Sequence, residues 1–136
     1  MPAERDLTTL LRTMTPELQD GVFVFCTLGA DADLAAMPAP LLLFREREGV
    51  TLVVRREDAE QAGLAHQFAA RLITLSVQSA LDAIGFLAAV TTELAAAGIS
   101  VNAVSAFHHD HLFVPEHRAD EALLRLREMS RRSVAE

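Results

Sequence analysis

Leu81-Asp82-Ala83-Ile84-Gly85-Phe86-Leu87, answered by Gly98-Ile99-Ser100-Val101-Asn102, decides how this chain is read. A glycine stands where a strand hands over to a helix, and a second glycine ends that helix before an Asn-bearing strand. Between them Leu87, Val90, Leu94 and Ala97 fall on one stripe, which predicts a helix over about Ala83–Ala97. Upstream, Ile73, Leu75 and Val77 alternate with Thr74, Ser76 and Gln78, so Leu72–Val77 reads as a half-covered strand. Downstream, Val101–Ala106 and His111–Val114 read as a strand pair joined through His108-His109-Asp110. From Glu116 to about Arg131, Ala119, Leu123, Leu126 and Met129 form the apolar stripe of a last helix. Strand, helix, strand, strand, helix is a ferredoxin-like βαββαβ unit lacking its closing strand.

Working toward the N-terminus, Pro2 to about Thr13 reads as a helix on Leu7, Leu10, Leu11 and Met14, broken by Thr15-Pro16. Gly21–Leu28 is apolar on both faces, which suits a central strand, and it is the expected donor of the missing closing strand. Residues 29–40 read as a loop with at most one helical turn. Leu41–Arg45 and Val50–Val54 form two strands around Glu48-Gly49, and Arg56–Ala62 a short helix ended by Gly63. The first half thus resembles the same unit with one helix lost. Neither half has enough residues for a good core of its own, so shared strands are expected.

Composition removes whole classes of function. The chain has 136 residues and a net charge of −7, with every positive side chain an arginine. Without lysine there is no Schiff base and no Walker-type phosphate loop, and no cofactor motif is present, so no cofactor is expected. The acidic balance and the lack of Trp and Tyr exclude a nucleic-acid partner. Arg125, Arg127, Arg131 and Arg132 are interleaved with Glu121 and Glu128, as on a solvated helix end. No apolar run reaches the ~20 residues of a membrane helix, and Met1–Asp6 has no signal-peptide character. A cytoplasmic location is expected. The single Cys26, in Phe23-Val24-Phe25-Cys26, reads as a buried structural thiol.

Asp82-Ala83-Ile84-Gly85-Phe86-Leu87, the Ala-rich helix, Gly98–Asn102 and the following hairpin resemble an ACT domain, the small regulatory module of amino-acid metabolism. The closer resemblance is to short stand-alone bacterial proteins with two ACT-like units. It is carried by Ile73-Thr74-Leu75 before the glycine and by His109–Pro115 after Asn102. In the first half it rests on Phe23-Val24-Phe25 and Glu48–Val53. The resemblance implies an α+β fold: a ferredoxin-like ACT-type sandwich of two intertwined units, with an antiparallel sheet and helices on one face. The expected division is a degenerate unit with a leading helix over 1–66 and a second unit over 67–136. Ile84 departs from the proline that many ACT modules carry before the glycine.

The resemblance also implies a non-catalytic sensor that binds an amino acid at an interface between ACT-like units, and an oligomer, expected as a homodimer. The first-turn N–H groups of Ile84, Gly85 and Phe86, beside Ala83, could take a ligand carboxylate where the helix dipole favours anions. Asp82 could accept from an ammonium, Asn102 could both donate and accept, and Ser79 lies on the same loop. Read structurally instead, Asp82 is an N-cap, Gly85 permits close packing and Asn102 satisfies a loop. Two further readings stay open. One is a ligand-free interaction module that pairs through a sheet edge. The other is a metal site on His109 and His111, which share a strand face, with a carboxylate and with His117 joining from the next helix start. A serine hydrolase is disfavoured, since no nucleophile elbow frames any serine.

Overall fold

The computed structural model describes residues 3–135 and divides them into two compact units, one built from 1–20 with 71–136 and the other from 21–70. The continuous unit contains β2 (Phe23–Leu28), β3 (Leu42–Arg45), β4 (Val50–Arg55), α2 (Arg56–Gln61) and the first residues of β5 (Gln67–Leu75). Its strands run in the order β3-β4-β2-β5, all antiparallel. β2 is therefore internal, as its two apolar faces require. Val24, Cys26, Val50, Leu52, Val54 and Ala59 close one face into a core, with Leu34 and Met37 of the connecting segment packed against it. Cys26 is a buried free thiol, and burial pushes it above its ordinary pKa. The expected single turn in 29–40 is a short 3-10 stretch at Leu34–Ala36.

The discontinuous unit contains α1 (Leu7–Thr13), β1 (Pro16–Leu18), the rest of β5, α3 (Phe86–Ala96), β6 (Asn102–Ser105), β7 (Asp110–Pro115) and α4 (Ala119–Ala135). Leu10, Met14, Ile73, Leu75, Val90, Leu94, Leu112, Val114 and Leu126 are its buried centre. Each such aliphatic side chain contributes roughly 1.5–3 kcal/mol when fully withdrawn from water. α1 packs on α4 and α3, and Ser130 Oγ donates to the carbonyl of Arg12 at 3.2 Å.

Four expectations on this unit change. The closing strand beside Ile73–Leu75 is β1, with Pro16 opposite Leu75 and Leu18 opposite Ile73. Gly21–Leu28 does not fill that place: Phe23 and Phe25 pair with Ala70 and Gln67, earlier on β5. Pro16 is tolerated because it opens its strand. β5 also begins earlier than expected, at Gln67. The first helix starts at Leu7 rather than Pro2, which lies outside the described residues. The backbone of Glu4 instead bonds Gln78 and Ala80, and Asp6 caps the helix by accepting from Thr9 N–H at 3.0 Å. Last, α3 starts at Phe86 rather than Ala83, because Gly85, at φ +89°, is a left-handed N-cap.

Candidate functional site

The loop from Ser76 to Gly85 carries most of the sequence-derived candidates, and residues 4–7 hold it from outside. Glu4 accepts from Ala80 N–H and donates to the Gln78 carbonyl, which grips the chain on either side of Ser79. Arg5 Nε donates to Asp82 Oδ1 at 3.0 Å across an exposed surface. With the loop so fixed, a crevice of about 50 Å³ opens between it, the first turn of α3 and the β6–β7 hairpin. Its lining includes Ser79, Leu81, Ala83, Phe86, Ser105 and Asp110. Larger hollows of the continuous unit, about 400 and 340 Å³, are lined by no buried charge.

Asp110 is the chemically decisive member. On β7 it shares the inward face with Leu112 and Val114, and it is 7% exposed. Among the described residues its carboxylate accepts one side-chain hydrogen bond, from Ser79 Oγ at 3.3 Å, and meets no cation. Burying a carboxylate without a cationic partner is costly, which makes Asp110 the candidate in this crevice for meeting a positively charged group. Opposite it, α3 begins without a side-chain cap; its first intrahelical bond runs from Ala89 N–H to Gly85 C=O. The N–H groups of the first turn face outward along the helix axis, with the positive end of the dipole behind them. The arrangement offers a negative pole and a positive pole within one crevice.

The structure brings together Ser79, Ala83 and Phe86 of the sequence-derived set and places Gly85 at the cap beside them. Asp82 is exposed and engaged by Arg5, so it neither caps α3 nor lines the crevice. Ile84 is 86% exposed. Asn102 stands three residues from Ser105 on β6, about 10 Å along the strand, and is exposed. Asp110 and Ser105 join the site in their place. Asp110 was discernible in the alternation Asp110-Leu112-Val114, which sets a carboxylate on a core-facing position.

The histidines lie on the other face of β7. The rings of His109 and His111 are 6.4 Å apart, and each Nδ1 faces a protein partner: the Val77 carbonyl at 3.3 Å and Thr74 Oγ1 at 3.0 Å. Burial, and then the neighbouring His109, hold His111 below the ordinary imidazole pKa, against the pull of Asp110. Among the described residues no three His, Cys, Asp or Glu side chains come together as a metal cage would need.

An α+β unit with a helix-start crevice beside an antiparallel sheet belongs to the ferredoxin-like class of folds. The sequence agrees: residues 2–71 and again 67–128 match the ACT domain, and the chain belongs to that family. A Vibrio cholerae protein of unknown function, described as a possible transport protein, is 45% identical; the match covers 91% of this chain and 95% of that one, with a TM-score of 0.82. An Agrobacterium tumefaciens protein shares the fold at 18% identity, covering 86% and 89% of the two chains, with a TM-score of 0.72. The regulatory subunit of aspartate kinase from Thermus flavus shares it at 11% identity, covering 85% and 96%, with a TM-score of 0.64. No curated protein matches the sequence.

Proposed function

We propose that this ACT protein is a non-catalytic sensor that binds a free amino acid, or a similarly small zwitterion, in the crevice beneath α3. The observation that carries this reading is the buried carboxylate of Asp110, which lines the crevice and, among the described residues, accepts one side-chain hydrogen bond, from Ser79. A ligand ammonium meets Asp110, Ser79 and Ser105, and a ligand carboxylate meets the first-turn N–H groups after Gly85. Gly85 has no Cβ to stand in the way of that approach. The ACT family match and the regulatory-subunit neighbour support a regulatory role. The test is a thermal-unfolding screen against the twenty amino acids, because a ligand that binds only the folded state raises its midpoint. A shift by one group of amino acids is expected; no shift from any at 10 mM would end the reading.

A second partner is favoured by a separate observation. β3 is a terminal strand of its unit, and Leu41, Leu43 and Phe44 at that edge are 50%, 36% and 63% exposed. An apolar, unprotected edge is a template for strand pairing, so we place the contact of a homodimer there. Light scattering is expected to give twice the chain mass, and Phe44→Glu the mass of one chain. A monomeric wild-type protein would refute the contact.

A further inference from the structure

We infer that the crevice discriminates by side chain and takes amino acids whose side chains are apolar, aliphatic or aromatic; this rests on the zwitterion reading above. A volume of about 50 Å³ is a third of the ~150 Å³ cavity that holds one benzene ring. It admits an ammonium and its α-carbon, so anything beyond Cβ must leave through the mouth. What the side chain meets there is apolar. Leu81 lines the crevice and is 67% exposed, and Leu87, Ala83 and Ala106 line it too. Ile84 and Phe107 directly follow Ala83 and Ala106 and are 86% and 72% exposed.

Single exposed hydrophobic residues are ordinary on a protein surface. Here, however, Leu81, Ile84 and Phe107 are three of the nine large hydrophobics exposed among the described residues, and all three sit in the two loops that border one crevice. The charged pair on the same loop, Arg5 and Asp82, is internally matched at 3.0 Å. On the 76–85 loop a charged ligand side chain therefore finds no unmatched counter-ion among the described residues, while an apolar one removes both its own surface and the rim's from water. At the usual area coefficient each buried methylene tightens binding about fourfold. Leucine should then exceed alanine by on the order of tenfold or more, even with partial cover.

The test is calorimetric titration of the full chain with glycine, alanine, leucine, phenylalanine, aspartate and arginine. It is repeated on the double variant Leu81→Ser, Phe107→Ser, with circular dichroism as the check on folding. Leucine and phenylalanine are expected to bind at least tenfold more tightly than alanine. The double variant should lose that advantage, so that its leucine and alanine affinities draw together. Equal binding of all six, or a double variant with undiminished leucine affinity, overturns the discrimination while leaving the head-group site standing. Binding by none of them ends both. Should the double variant change only the oligomeric mass, the rim is a contact between copies, and the inference falls.

Discussion

Replacing Asp110 by Asn is expected to make the ligand-free protein more stable and the ligand-bound protein less so. The carboxylate is 7% exposed, and among the described residues it receives one side-chain hydrogen bond, at the long distance of 3.3 Å. Asn has the same shape and can still accept from Ser79, so the substitution removes charge without opening a cavity. Leaving a buried polar group poorly matched costs about 1–3 kcal/mol, and relief of the charge should return ~1 kcal/mol of that. At ~2.1 cal/mol/K per residue, 136 residues have an unfolding entropy of ~0.3 kcal/mol/K, so the midpoint should rise by roughly 3–4 °C. With ligand at a hundred times its Kd the wild-type protein gains about 2.7 kcal/mol. The variant gains nothing, since the ammonium has lost its counter-charge. Differential scanning calorimetry with and without 10 mM leucine should therefore show the two midpoints change places. A variant less stable than wild type without ligand would mean that the carboxylate is already paired within the protein, and the reasoning from its burial would be wrong.

Acid should weaken the fold partly through His111. Its folded pKa lies below the ordinary value, so the unfolded chain binds the proton more readily. The stability it lends is present above about pH 6.5 and is lost as pH falls from there through the folded value. Urea melts between pH 8 and 5 should show a drop that His111→Gln reduces; an unchanged slope would count against it. Two glycine-to-alanine changes should differ in kind. At Gly85 a new Cβ would lie 3.5 Å from Leu7 Cδ2, an ordinary contact, so only the left-handed backbone resists, at ~1–2 kcal/mol. At Gly49 it would lie 2.2 Å from the Leu28 carbonyl oxygen, where backbone must move, and the midpoint should fall further than at Gly85. Equal losses would refute the steric account.

What the sequence discloses and what it hides divides along the range of the interaction. α3 and its end at Gly98, the β6–β7 hairpin and the amphipathic α4 rest on local periodicity and turn chemistry, and all form, although α3 starts at Phe86, α4 at Ala119 and β7 already at Asp110. β1 does not, because three residues opened by a proline carry no strand period; only the partner at Ile73–Leu75, more than fifty positions away, makes them a strand. The same holds for Asp82. Its position before a helix suggests a cap, yet a positively charged partner 77 residues upstream claims it. Residues 3–6 extend no helix for a like reason, since the Gln78–Ala80 backbone offers Glu4 bonds that no local pattern advertises. Asp110 is the opposite case. The polar run His108-His109-Asp110 reads as a turn, although the parity of Asp110 with Leu112 and Val114 is local, and its meaning emerges only once the crevice shows what lies in front of it.

Because residues 21–70 form one compact unit and residues 1–20 belong with 71–136, the order of synthesis matters for this chain. At ~5–20 residues per second the continuous unit is complete within seconds. Arg12, whose carbonyl accepts from Ser130, waits for a partner 118 residues later, roughly 6–24 s. During that interval Leu10 in α1 and Met14 just after it, destined to be 0% and 3% exposed, lack the cover that α4 supplies. Residues 7–14 thus leave the ribosome before the continuous unit does and settle after it. A change that weakens α4 would be felt at the opposite end of the sequence, as an apolar leader left open to chaperones and proteases.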